Sequence, residues 1–142
     1  MKKLQHQKDM NGCGIACLAN LLEKDYDFVK KDFEKKFYKI DKGVNIADMV
    51  RYLQMYNLKY KSKFFNQKDF EKVKKEANKY SKIENSITLI AKSPKHKLGH
   101  YLLRTKNVWI DPWFNLPSID NVHAHTRNKL PNNPWYVIYP ID

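Results

Sequence analysis

The chain reads as an α+β domain, with helices in its first part and an antiparallel sheet after them. Three observations predict this. Apolar residues recur at helical spacing through the first half, short apolar runs replace them from Ser86 onward, and all six prolines lie at Pro94 or beyond. The 142 residues match the usual size of one domain, so a single unit spanning 1–142 is expected. With 42% hydrophobic and 13% aromatic residues the chain can bury a core, which excludes disorder throughout.

The first helix is expected over 14–23, where Ile15, Cys17, Leu18, Leu21 and Leu22 make a one-sided apolar stripe. A second, over 27–38, spaces Val29, Phe33 and Phe37 by four. A third follows Asn45, whose side chain can cap the helix, with Asp48 three residues on and Ile46, Val50 and Leu53 inside. A fourth, over 68–82, aligns Phe70, Val73, Ala77 and Tyr80 on one face. Strands are expected at 87–91, 100–104, 108–111 and 135–139. Only Thr105, Lys106 and Asn107 separate the second from the third, so those two should form a hairpin.

The formal charge is +12, and 24 of the 27 basic residues are lysine, against Arg51, Arg104 and Arg127. Lysine is a compact, flexible ion, whereas arginine's planar fork reads phosphates and bases in pairs. The excess therefore describes a surface. Nine lysines against Asp69, Glu71 and Glu76 give 59–82 a net +6, which belongs on the outer face of the fourth helix and suits an acidic partner. Nucleic acid is not expected as the main partner, since no recognisable binding motif accompanies Trp109, Trp113 and Trp135, which read as core or cleft wall. Cys13 and Cys17 sit one helical turn apart and make no disulfide framework, which suits a reducing cytoplasm. The opening residues are charged and lack the apolar stretch of a signal peptide, so none is expected, and no apolar run approaches the length of a membrane helix.

Chemistry is expected around Cys13, which lies between Gly12 and Gly14 where the first helix begins. A helix N-terminus favours the thiolate, the nucleophilic form of cysteine. Such a nucleophile needs a base, and the base an orienting partner. His100 opens one strand of the predicted hairpin and Asp111 closes the other, so the fold of the hairpin brings them together. Gln7, six positions before Cys13, offers an amide donor to a developing oxyanion beside the Cys13 N–H; Gln5 competes for that role.

The segment from Gln7 through Gly12-Cys13-Gly14 to Leu18, followed by Gly99-His100-Tyr101 and Ile110-Asp111-Pro112, resembles the C39 peptidases, papain-like cysteine proteases of bacteria. The order Gln, Cys, His, Asp matches, as does the spacing from Gln7 to Cys13. The resemblance implies a papain-like α+β fold with N-terminal helices packed on a C-terminal antiparallel sheet. It also implies Cys13 as nucleophile, His100 as general base and acid, Asp111 as its orienter and Gln7 in the oxyanion hole. One departure is Gly12, where the family commonly has aspartate. Better-known members are N-terminal domains of ABC transporters that cut leader peptides after a Gly-Gly pair. This sequence holds no membrane segment and no ATP-binding motif, so a freestanding C39-like domain with another substrate is expected.

Cleavage of a peptide or protein through an acyl-enzyme is thus the expected function. The alternatives are an inactive C39-like peptide-binding module with a basic docking face, and a deamidase or transamidase using the same first step. No metal or cofactor is expected. Cys13 and Cys17 lack zinc-knuckle spacing, His96 and His100 lack an intervening glutamate, and His123 and His125 stand apart. Cys17 reads as core packing.

Overall fold

A computed structural model describes residues 4–114 and 122–141. The first apolar stripe becomes helix α1 (Cys13–Leu22), with Gly14 to Ala19 all buried. It stops at Glu23, whose left-handed backbone (φ 56°) directs its N–H back to the Ala19 and Asn20 carbonyls. Helix α2 (Tyr26–Lys36) buries Tyr26, Val29 and Phe33; Phe37 lies just past its end and stacks on Phe33. Helix α3 (Ile46–Gln54) starts as expected: the Asn45 side chain accepts the Asp48 N–H at 2.9 Å. Helix α4 (Phe70–Ser81) follows one 3₁₀ turn over Gln67–Asp69, and its lysines Lys72, Lys74, Lys75 and Lys79 face solvent.

Six strands form one antiparallel sheet: β1 (Tyr60–Phe64), β2 (Ile87–Ile90), β3 (His100–Arg104), β4 (Trp109–Asp111), β5 (His125–Arg127) and β6 (Pro134–Pro140). Their order across the sheet is β1-β6-β2-β3-β4-β5. The helical reading of the first half missed β1, and nothing in the sequence marked β5. Both are edge strands. In β1, Lys61 and Lys63 interrupt the apolar residues, a composition that protects an edge from further pairing. Three mostly exposed residues make β5, so no apolar run betrays it. Prolines begin and end β6, where a missing N–H costs least.

The sheet buries both faces. Ile87, Leu89, Tyr101, Leu103 and Ile138 join α1, α2 and α3 in the main core, whereas Val137, one residue earlier on β6, packs with Phe65, Phe70 and Ala77 under α4. Gly14 decides how near α1 comes to the segment ahead of α3. A Cβ there would lie 2.2 Å from Val44 Cγ2 and 3.4 Å from the Tyr101 ring, so any larger residue would push the helix away. That close seat puts the start of α1 beside the start of β3.

Candidate active site

Cys13 is the first residue of α1 and is half-buried; no acidic residue occupies the helix's first turn, so nothing there offsets its positive end. His100 and Asp111 come from the β3–β4 hairpin. Its ladder pairs Leu103 with Ile110 and Arg104 with Trp109, so the same register sets Asp111 opposite Leu102, two residues along β3 from His100. The imidazole spans that offset. His100 Nε2 meets Asp111 Oδ1 at 2.6 Å, with both side chains buried. Nδ1 is the ring nitrogen that contact leaves free, and Cys13 is among the groups that favour the charged ring.

Asp111 is held by more than the imidazole. Its Oδ1 also accepts the Trp113 N–H at 3.0 Å, and its Oδ2 accepts Arg127 Nε at 2.6 Å. Arg127 is fixed in turn, with its guanidinium 4.4 Å from the centre of the Phe114 ring and Nη2 donating to the Phe114 carbonyl. Burial alone would raise the Asp111 carboxyl, yet the contacts with His100, Arg127 and the Trp113 N–H outweigh it and lower its pKa to about 2. For His100 burial is again the largest influence and disfavours the charged ring. Hydrogen bonds and charges from Asp111 and Cys13 win, and its pKa rises to about 9.

His96 lies flat on His100, with ring centres 4.5 Å apart and planes 11° from parallel. Burial, followed by the neighbouring His100 charge, lowers its pKa to about 4. At neutral pH the upper ring is therefore neutral and acts as a cover over the lower one. Cys17 is fully buried, and desolvation, then the charges of Cys13 and Asp111, raise its thiol well above the ordinary value. It packs in the core as the sequence suggests.

Gln7 joins the two halves of the site. Its N–H donates to the Pro112 carbonyl at 3.1 Å, which ties the loop before Cys13 to the residue after Asp111. Its Nε2 donates to the carbonyls of Asp9 (2.9 Å) and Met10 (3.0 Å), while the buried Oε1 has no partner. Both amide hydrogens thus brace the nucleophile's loop, and a donor role toward an oxyanion requires exchanging one of those bonds. Gln5 serves elsewhere: its Oε1 accepts the Tyr26 N–H and its own N–H donates to Asn20. Gly12 has a packing reason. A Cβ there would sit 2.0 Å from the Tyr26 hydroxyl, which donates to Asp9 Oδ2 at 2.7 Å.

Cys13, His100 and Gln7 border one open cleft of about 920 Å³, walled in part by Trp113 and Trp135. Trp109 instead packs with Ile90 and Leu102 in the interior. Among the described residues no cluster of three or more His, Cys, Asp or Glu side chains is arranged to hold a metal ion. Two members of the site escaped sequence reasoning, Arg127 and His96. Arg127 left a trace, as one of only three arginines amid 24 lysines. His96 left none beyond its spacing of four from His100.

No family model matches the sequence, and no curated protein matches it. The solved structures give a different result. The peptidase domain of Streptococcus ComA, described as a bi-functional ABC transporter involved in a quorum sensing pathway, superposes with a TM-score of 0.58 and 18% identity, covering 99% of this chain and 98% of that one. This chain has the fold of that peptidase domain. The ComA peptidase domain of Streptococcus mutans aligns with a TM-score of 0.49 and 18% identity, over 99% of this chain and 100% of that chain. The likeness to the first of these domains, with helices packed on an antiparallel sheet, bears out the papain-like α+β architecture implied by the motifs. Among the described residues no helix is long and apolar enough to cross a membrane.

Proposed function

We propose that this protein is a cysteine peptidase in which Cys13 is the nucleophile, His100 the general base and acid, and Asp111 its orienting partner. The observation that carries the reading is the buried 2.6 Å contact of His100 with Asp111 beside a cleft that Cys13 also lines. Cys13 Sγ attacks the carbonyl of the scissile peptide, and the electron pair moves to the oxygen, which the Cys13 N–H and a released Gln7 amide hydrogen stabilise. His100 gives its proton to the departing amine, leaving a thioester on Cys13. It then takes a proton from water, whose oxygen attacks the thioester and frees a new carboxyl terminus and the Cys13 thiolate, which restores the thiolate–imidazolium pair.

Cys13→Ala keeps the small volume at the start of α1 and removes the sulfur, so the fold should persist and turnover should vanish. A defined mixture of denatured proteins, incubated with wild type or variant and read by mass spectrometry, should show new chain termini with wild type only. Equal cleavage by the variant refutes the mechanism. A one-dalton gain in glutamine-containing peptides, without new termini, would assign deamidation to the same site instead.

A further inference from the structure

The cleft has a second chemical character besides its nucleophile. Lys42, Lys92, Lys95 and Lys97 line it, and among the described residues no aspartate or glutamate does. They come from two separate segments: Lys42 from the 3₁₀ turn Ile40–Lys42 ahead of α3, the other three from the connection between β2 and β3. All four are exposed, and none is ion-paired among the described residues. Lys92 extends its ammonium over the Trp135 ring, 5.3 Å from its centre, which orients a cation along the cleft wall. The carboxylates of Asp9 and Asp111 are already taken. Asp9 holds Lys30 and Tyr26, and buried Asp111 holds His100 and Arg127. Met10 and Leu98, 66% and 61% exposed, add two apolar contacts to the same cleft.

We propose that the cleft selects acidic peptide segments, with aspartate or glutamate side chains flanking the reactive position and an apolar residue resting on Met10 or Leu98. This substrate class rests on the peptidase reading above, because it concerns the same cleft. A positive field confined within low-dielectric walls concentrates anionic chains and raises their association rate, and an unpaired lysine has no internal partner to give up when a carboxylate arrives. The lysine excess of 59–82 lies elsewhere, on β1 and α4, none of whose residues line the cleft. A peptide is favoured over a nucleic acid because lysine stems beside exposed Met10 and Leu98 suit side chains, and the four cations supply no bidentate fork for phosphate.

The test uses Cys13→Ala protein, which cannot turn over, and two matched unstructured dodecapeptides that differ only in carrying Glu or Gln around a central apolar residue. Calorimetric titration should give about tenfold tighter binding for the Glu peptide, with the difference closing in high salt. Adding Lys42→Glu and Lys97→Glu should abolish the preference. Equal affinity for the two peptides, or a preference that survives the lysine substitutions, overturns the proposal. Displacement of the Glu peptide by single-stranded oligothymidylate at equal concentration also overturns it, because the cleft would then read polyanions in general. Wild-type protein with the same peptides separates the two readings. Cleavage of neither, with Glu selectivity intact in Cys13→Ala, fails the peptidase and leaves the selectivity; cleavage of both alike, with equal binding, does the reverse.

Discussion

Asp111→Asn separates the shape of the His100 partner from its charge. In a Cys-His-Asn arrangement an amide oxygen is sufficient to orient the histidine. Here it should fail, because both Asp111 oxygens are committed: Oδ1 to His100 and the Trp113 N–H, Oδ2 to Arg127 Nε at 2.6 Å. An asparagine that keeps its oxygen toward His100 turns its NH₂ against the Arg127 N–H, and the flipped amide turns it against the Trp113 N–H. The energy at stake follows from the two ionisations. Raising His100 from 6.5 to about 9 is worth about 3 kcal/mol, and lowering Asp111 from 3.8 to about 2 is worth about 2 kcal/mol. Both include the His100–Asp111 contact and are not added; the His100 figure also includes Cys13, and the Asp111 figure also includes Arg127 and the Trp113 N–H. His100 contributes stability that is complete below its unfolded value of 6.5 and lost as pH rises through about 9. Asp111 contributes stability present above 3.8 and lost as pH falls through about 2.

The variant should therefore melt lower across neutral pH and lose kcat/KM by a factor on the order of 10² to 10⁴. The alkaline limit of kcat/KM, set by loss of the imidazolium proton that the departing amine needs, should move down from about 9 by at least about one pH unit. Removing the opposing donor should help: Asp111→Asn with Arg127→Gln should regain about tenfold over Asp111→Asn alone. A kcat/KM profile still ending near 9 in the single variant refutes this reasoning, as does a double variant no better than the single.

Arg127→Gln alone removes one of the contacts that keep Asp111 ionised, so the carboxyl pKa should rise and acid unfolding should begin at higher pH. The Arg127 side chain is 24% exposed, so the cost at neutral pH should be roughly 1–3 kcal/mol, read from urea unfolding. Gly12→Ala forces a Cβ to within 2.0 Å of the Tyr26 hydroxyl and should destabilise by about 1–3 kcal/mol; Tyr26→Phe, which deletes that oxygen, should restore part of the loss in the double variant. Iodoacetamide at neutral pH should label Cys13 and leave Cys17 unmodified, because Cys17 is 1% exposed and its thiol is raised well above the ordinary value. Equal labelling in a peptide map would count against the site.

The local features were legible because local physics produces them. Asn45 caps α3 as its position suggests, the short Thr105-Lys106-Asn107 connection makes the hairpin, and that hairpin brings His100 to Asp111. The lysines of α4 face solvent because Phe70 and Ala77 take the other side. Edge strands β1 and β5 were not legible, since pairing with a strand far along the chain makes them strands and their own composition does not.

By itself the sequence determined which residues are chemically able to act: a thiol at a helix start, an imidazole and a carboxylate at the open end of a hairpin, an amide upstream. Tertiary structure alone decided their surroundings. Arg127 reaches Asp111 from an edge strand, His96 covers His100 from a loop, both Gln7 hydrogens go to the nucleophile's own loop, and four lysines from two segments face one cleft. Helical period and turn length act over a few neighbouring residues and so can be read along a chain. Burial, charge pairing and cleft lining act through space between distant segments, and take values only once the sheet has brought those segments together.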